Sequence, residues 1–157
     1  MQRRHILKIL AVTGMTSMLY VDAQAAQLKN LIGSWSGSGV VNFIDNKKEK
    51  IRCHAYYTGG TGKLNIAVRC ASAGYKIELR TKLKHSGSKL SGTWQERSFN
   101  NSGRANGSIS DSKIQLKVRS SSVSAAINVS YNKGRQSVRI SSQGSKLRSV
   151  SINLRRL

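Results

Sequence analysis

From Trp35 to the C-terminus the chain alternates apolar and polar residues in short runs, each closed by glycine, serine or asparagine. A two-residue period is the signature of a strand with one buried and one wet face. The runs are 35–44, 49–58, 63–70, 75–84, 89–97, 104–110, 113–119, 123–131, 135–142 and 146–156. Ile51, Cys53, Ala55 and Tyr57 share one face of their run, and Leu64, Ile66, Val68 and Cys70 share one face of the next. The opposite faces carry Arg52, Arg69, Lys76, Arg80 and Lys82. With no proline, and only a helical turn expected over 26–31, this predicts an all-β, up-and-down antiparallel meander of eight to ten strands. Such a meander hides its edges by closing into a small barrel; a two-sheet sandwich is the alternative. A lipid-spanning barrel is excluded by polarity, because it would crowd the arginines and lysines into a narrow lumen.

The first 25 residues read as a cleavable export signal. Arg3, Arg4, His5 and Lys8 precede a short apolar run, Ile9 to Val21, and Ala23-Gln24-Ala25 is an A-x-A cleavage site. The stretch RRHILK resembles the twin-arginine signal, with Ile6 in place of its phenylalanine. Ordinary secretion remains an equal route, and either one places the protein in the periplasm or medium of a bacterium. Residues 26–157 then form a single domain, free of any transmembrane span and expected to be a monomer. The chain holds 27 Lys and Arg against six acids; losing Arg3, Arg4, Lys8 and Asp22 with the leader leaves 24 against five, a net charge of +19. A field of that size draws in polyanions and anionic surfaces, or simply keeps the protein soluble.

Cys53 and Cys70 are the only cysteines. Export favours a disulfide between them; the chain lacks a CxxC pair, and a four-ligand zinc site would need all of Cys53, Cys70, His54 and His85, although His54 points away from Cys53 on a strand. A two-residue turn at Thr61-Gly62 sets Cys53 opposite Cys70, Ala55 opposite Val68 and Tyr57 opposite Ile66, so every buried-face partner is apolar. A turn at Ser72-Ala73 in the next hairpin sets Cys70 opposite Tyr75, Val68 opposite Ile77 and Ile66 opposite Leu79. On the wet face this register places Arg69 against Lys76, with His54 on its other side. Like charges directly opposite destabilise a ladder, so either the side chains splay or an anion sits among them.

Leu31-Ile32-Gly33-Ser34-Trp35 and Leu90-Ser91-Gly92-Thr93-Trp94 share the pattern L-x-G-[ST]-W. The glycine leaves room for the indole or for a neighbouring strand. Gly33-Ser34-Trp35 resembles the G-x-W of lipocalins and other calycin barrels. That resemblance implies a tryptophan closing one barrel end beneath an arginine from the last strand, here Arg148, Arg155 or Arg156, and a small apolar ligand inside. The pieces GSWSGSG, IRC, VRCAS, SGTWQE and VSINLRR resemble a family of small exported proteins from rhizobia-like bacteria, which implies export and no particular activity.

Catalytic patterns are missing: there is no G-x-S-x-G, HExxH, Walker or dinucleotide-binding motif, and Glu96 is the single acid expected to face inward. The sequence therefore reads as a non-enzyme without cofactor or metal. One expected mode is engagement of anionic envelope components, lipid phosphates or lipopolysaccharide, by Arg52, His54, Arg69, Lys76, Arg80 and Lys82. The other is a small apolar ligand held by Trp35, Phe43, Tyr57 and Trp94, although in small barrels such aromatics commonly just fill the core. A protein-binding inhibitor is a third reading. Nucleic acid is excluded as a partner, since few aromatics interleave with the charge and the leader exports the chain.

Overall fold

The structure, a computed structural model, describes residues 28–157; the predicted signal at 1–25 lies outside the described residues. A helical turn at Leu28 leads into ten strands: β1 (Gly33–Phe43), β2 (Lys48–Gly60), β3 (Lys63–Ala71), β4 (Lys76–Ser86), β5 (Lys89–Glu96), β6 (Asn101–Ile109), β7 (Lys113–Arg119), β8 (Ser124–Asn132), β9 (Arg135–Gln143) and β10 (Leu147–Arg156). Each pairs antiparallel with its sequence neighbours, and β1 pairs with β10, so the sheet closes on itself. The sandwich alternative is thereby excluded.

The alternation maps directly onto the wall of this barrel. In β7, Ile114, Leu116 and Val118 are buried while Lys113, Gln115, Lys117 and Arg119 are exposed. The arginines and lysines of β2 to β4 likewise face outward, opposite in polarity to a lipid-facing barrel. Strand ends agree with the alternating runs to within three residues, the largest difference being β6, which begins at Asn101 rather than at 104. Asn101-Ser102-Gly103 reads as a turn but is paired strand. Gly103 is there for close approach, since a Cβ on it would lie 1.9 Å from the Arg119 carbonyl oxygen and 3.0 Å from Nε1 of Trp94. Gly92 plays the same part, its missing Cβ falling 2.0 Å from the Lys82 carbonyl oxygen. The neighbouring strand therefore fills the space beside the glycine of the second L-x-G-[ST]-W.

The first hairpin has the expected register: Cys53 faces Cys70, Ala55 faces Val68 and Tyr57 faces Ile66. The two cysteines form the disulfide, with their Cα atoms 4.1 Å apart. The second hairpin differs from expectation by two residues. Cys70 faces Ile77, Val68 faces Leu79, Ile66 faces Thr81, and Arg69 faces Glu78 rather than Lys76. The turn residues are Ala73-Gly74, because Ser72 pairs with Tyr75. Ser72 N–H donates to the Tyr75 carbonyl at 2.9 Å, and Tyr75 N–H donates to Ser72 Oγ at 3.0 Å. A slip of two keeps every side chain on its face, so the apolar pattern accepts either register. Charge separates them, because the observed register exchanges a repulsive cross-strand pair for an attractive one.

Candidate functional site

The connections divide into two ends. At one end lie the chain's entry into β1, the end of β10 and the turns β2–β3, β4–β5, β6–β7 and β8–β9; the other five connections form the opposite rim. The first end is plugged. Leu31 and Trp35 are completely buried, and the Trp35 indole N–H donates to the Leu31 carbonyl at 2.9 Å. Tyr57 meets the indole edge-on, with ring centroids 6.5 Å apart. The Arg156 guanidinium lies 5.5 Å from the Trp35 ring centroid and donates to the Ile32 carbonyl. Of the three arginines the calycin resemblance offered, Arg156 is the one over the tryptophan. Gly33, at φ +130°, lets the backbone turn beneath it.

Above the plug is an apolar cavity of about 430 Å³. Phe43, Tyr57 and Trp94 line it; Trp35 does not, since it is consumed in the plug. The walls are branched aliphatics such as Val118, Ile127 and Ile140. Polar side chains interrupt them in places. Thr81 is 3 % exposed, faces the cavity, and its hydroxyl has no hydrogen-bond partner among the described residues. Tyr57 donates its hydroxyl to Gln136 Oε1 at 2.8 Å, and burial pushes its phenol well above the ordinary tyrosine range. Glu96 faces inward as read from the sequence, yet its carboxylate is occupied, accepting backbone N–H groups of Glu78, Ser98 and Phe99 at 2.9, 3.1 and 2.6 Å. It shapes the β5–β6 turn.

The cavity reaches the open rim at Phe99, Ser122, Ser145 and Lys146. Ile44 and Phe99 are unusually exposed for large apolar side chains, at 59 % and 48 %, and both belong to rim connections. Sequence reading missed Phe99, Lys146 and Thr81 as site residues. Thr81 falls on the expected inward face, but the side chains a barrel gathers around it come from six or more strands. Phe99 and Lys146 lie in turns, where alternation carries no signal.

The six residues expected to bind anions, Arg52, His54, Arg69, Lys76, Arg80 and Lys82, are all exposed on the outer face of β2 to β4. His54 faces Arg69 as expected, but the triad of His54, Arg69 and Lys76 does not form. Glu78 stands there instead and gathers Arg80, Arg97 and Arg69 at 2.7, 3.2 and 3.8 Å. The hydrogen bond from Arg80, assisted by the charges of Arg97 and Arg69, holds the Glu78 carboxyl below its ordinary 4.5. A carboxyl with a lowered folded pKa contributes stability above its unfolded value and loses it as the pH falls through the folded one. The stability gap between wild type and Glu78→Gln, read by denaturant unfolding, should therefore close as the pH drops below 4.5.

No group of three or more His, Cys, Asp or Glu side chains among the described residues is arranged to hold a metal ion. No described helix is long and apolar enough to cross a membrane. No protein-family model matches the sequence, and no curated protein matches it. Solved structures share the fold. Rv2717c from M. tuberculosis superposes with a TM-score of 0.67 at 12 % identity, over 83 % of this chain and 94 % of that one. The S-type phycobiliprotein lyase CPES from Guillardia theta gives 0.57 at 12 % identity, over 87 % of this chain and 97 % of its own. At 12 % identity both superpositions show a shared fold and nothing finer.

Proposed function

We propose that this protein is an exported, non-catalytic carrier that holds one small, largely apolar molecule inside the barrel. The cavity carries this reading. Its volume is in the range of small-molecule sites, about 300–1,000 Å³, and its lining is apolar with few polar atoms. The Thr81 hydroxyl suits a single ligand oxygen or N–H deep in the barrel, and Lys146 suits a polar group at the rim. Phe99, exposed at the mouth of the cavity, offers an apolar contact to a ligand leaving a membrane or another protein. Export is supported by the order of charge, apolar run and A-x-A site, and by the disulfide. The outward lysines and arginines would hold the carrier near anionic lipid phosphates or lipopolysaccharide by a long-range, salt-sensitive attraction.

One experiment tests the carrier and its export together. The full chain is expressed in a bacterium, the periplasmic protein is purified gently, and its intact mass is read under native conditions. The expected result is cleavage near Ala26 and a retained small molecule, with the emptied barrel taking up the neutral fluorophore N-phenyl-1-naphthylamine. Ala125→Phe, which places a ring in the cavity, should weaken the fluorophore at least about tenfold while the barrel stays folded. A clean apo mass together with no fluorophore uptake by wild type would overturn the carrier reading.

A further inference from the structure

A second concavity lies at the plugged end of the barrel, away from the face that carries Glu78 and sharing only Leu154 with the lining of the apolar cavity. Strands β6 to β10 and β1 contain no aspartate or glutamate, so half of the barrel wall is free of strand-borne acid. Within that wall is a cleft whose lining includes Lys113, Lys133, Arg135 and Arg155, with Ser137 and Asn153 between them. Arg135 and Arg155 are direct cross-strand partners on β9 and β10. Two guanidinium groups so placed repel each other, and no ion pair relieves any of the four cations among the described residues. The ion pairs there engage Lys47, Arg69, Arg80 and Arg97. Among the described residues the one acidic side chain at this end of the barrel is that of Asp111, in the β6–β7 turn, whose charge helps push the buried Tyr131 phenol up to about 12, after burial itself.

An unrelieved arginine pair in a concave, hydroxyl- and amide-lined setting is the chemistry of an oxyanion site. A guanidinium presents two parallel N–H donors to a tetrahedral or planar oxyanion, and two such forks can share one phosphate. Lysines at the margin add charge without geometric demand, and Ser137 and Asn153 can bond neighbouring hydroxyls. We infer that this cleft binds a phosphate monoester carried on a hydroxyl-rich group. The same group could arrive as a soluble sugar phosphate or as a phosphorylated lipid headgroup.

The test separates the two sources. Backbone amide shifts of the mature protein are followed by NMR while glucose 1-phosphate, inorganic phosphate or glucose is added at constant ionic strength. Cosedimentation is measured with phosphatidylcholine vesicles with and without phosphatidylinositol 4-phosphate. Glucose 1-phosphate should shift amides of the β8–β9 turn and the end of β10, and glucose should not. The double variant Arg135→Ser/Arg155→Ser should weaken binding at least about tenfold. The control Arg104→Ser/Arg119→Ser removes another directly opposed arginine pair, outside the lining of the cleft, and should change binding less than about twofold. Arg155→Lys, which keeps the charge and loses the fork, should fall between them. Phosphatidylinositol 4-phosphate vesicles that compete with glucose 1-phosphate support the site with a headgroup as source, and vesicles that do not support it with a soluble one. Absent shifts, or equal weakening by the two double variants, would show only diffuse charge and overturn the proposal. The neutral fluorophore is blind to this cleft, so either result leaves the carrier reading to its own test.

Discussion

Trp35→Ala should lower the unfolding free energy by about 4 kcal/mol, the usual cost of emptying a large aromatic site in a packed core. The indole is fully buried at the plugged end and touches four things at once: the Leu31 carbonyl, the Tyr57 ring, the Arg156 guanidinium and the surrounding core. Alanine would orphan the Leu31 carbonyl and leave a void that the closed ladder cannot collapse around. The loss is a large fraction of the roughly 5–15 kcal/mol that holds a domain together. Trp35→Phe keeps the ring and gives up the indole N–H, so it should cost about 1–2 kcal/mol. Arg156→Ala removes an exposed cation over the ring, worth about 0.5–1 kcal/mol. Urea unfolding followed by far-ultraviolet circular dichroism ranks the three. A Trp35→Ala loss no larger than that of Arg156→Ala would mean that the plug contributes little to the barrel.

Cys53→Ala/Cys70→Ala should cost about 3 kcal/mol through lost loop closure, on a chain-entropy estimate for a loop of this length. Removing two buried sulfurs adds to that, because both side chains sit inside the barrel. For a domain of this size the melting temperature should fall by roughly 10 °C. The fold should survive, since Ala55 with Val68 and Tyr57 with Ile66 hold the same register beside the bridge. Wild type melted under reductant should reproduce the double variant. If reduction left the melting temperature unchanged, the bridge would be a bystander and the register would rest on apolar pairing alone.

These two effects differ in how far they can be read from the chain. The disulfide follows from two cysteines, a leader that reads as an export signal and a turn at Thr61-Gly62, all local. The plug needs Trp35 from β1, Leu31 from the preceding turn and Arg156 from the last strand, residues up to 125 positions apart. The G-x-W resemblance anticipated an arginine and offered three; closure of β1 against β10 selects the one paired with Trp35. The anion-binding readings divide the same way. Outward placement of Arg69 and Lys76 follows from alternation, but their pairing depends on one turn, and a slip of two residues introduces Glu78. The Arg135–Arg155 cleft has no local signature, since neither residue is near the other in sequence.

A strand's side chains alternate because the backbone has a two-residue period, so strand positions, inward and outward faces, and the single bridge are legible in the order of residues alone. That same period is blind to even shifts in register and silent about how many strands surround a space. Which strands meet across the seam, which aromatics fill the plug and which line the cavity, and where cations stand without an acid beside them, were settled when ten strands closed around one axis. Closure is a collective condition on tilt and stagger, and no short stretch of this chain contains it.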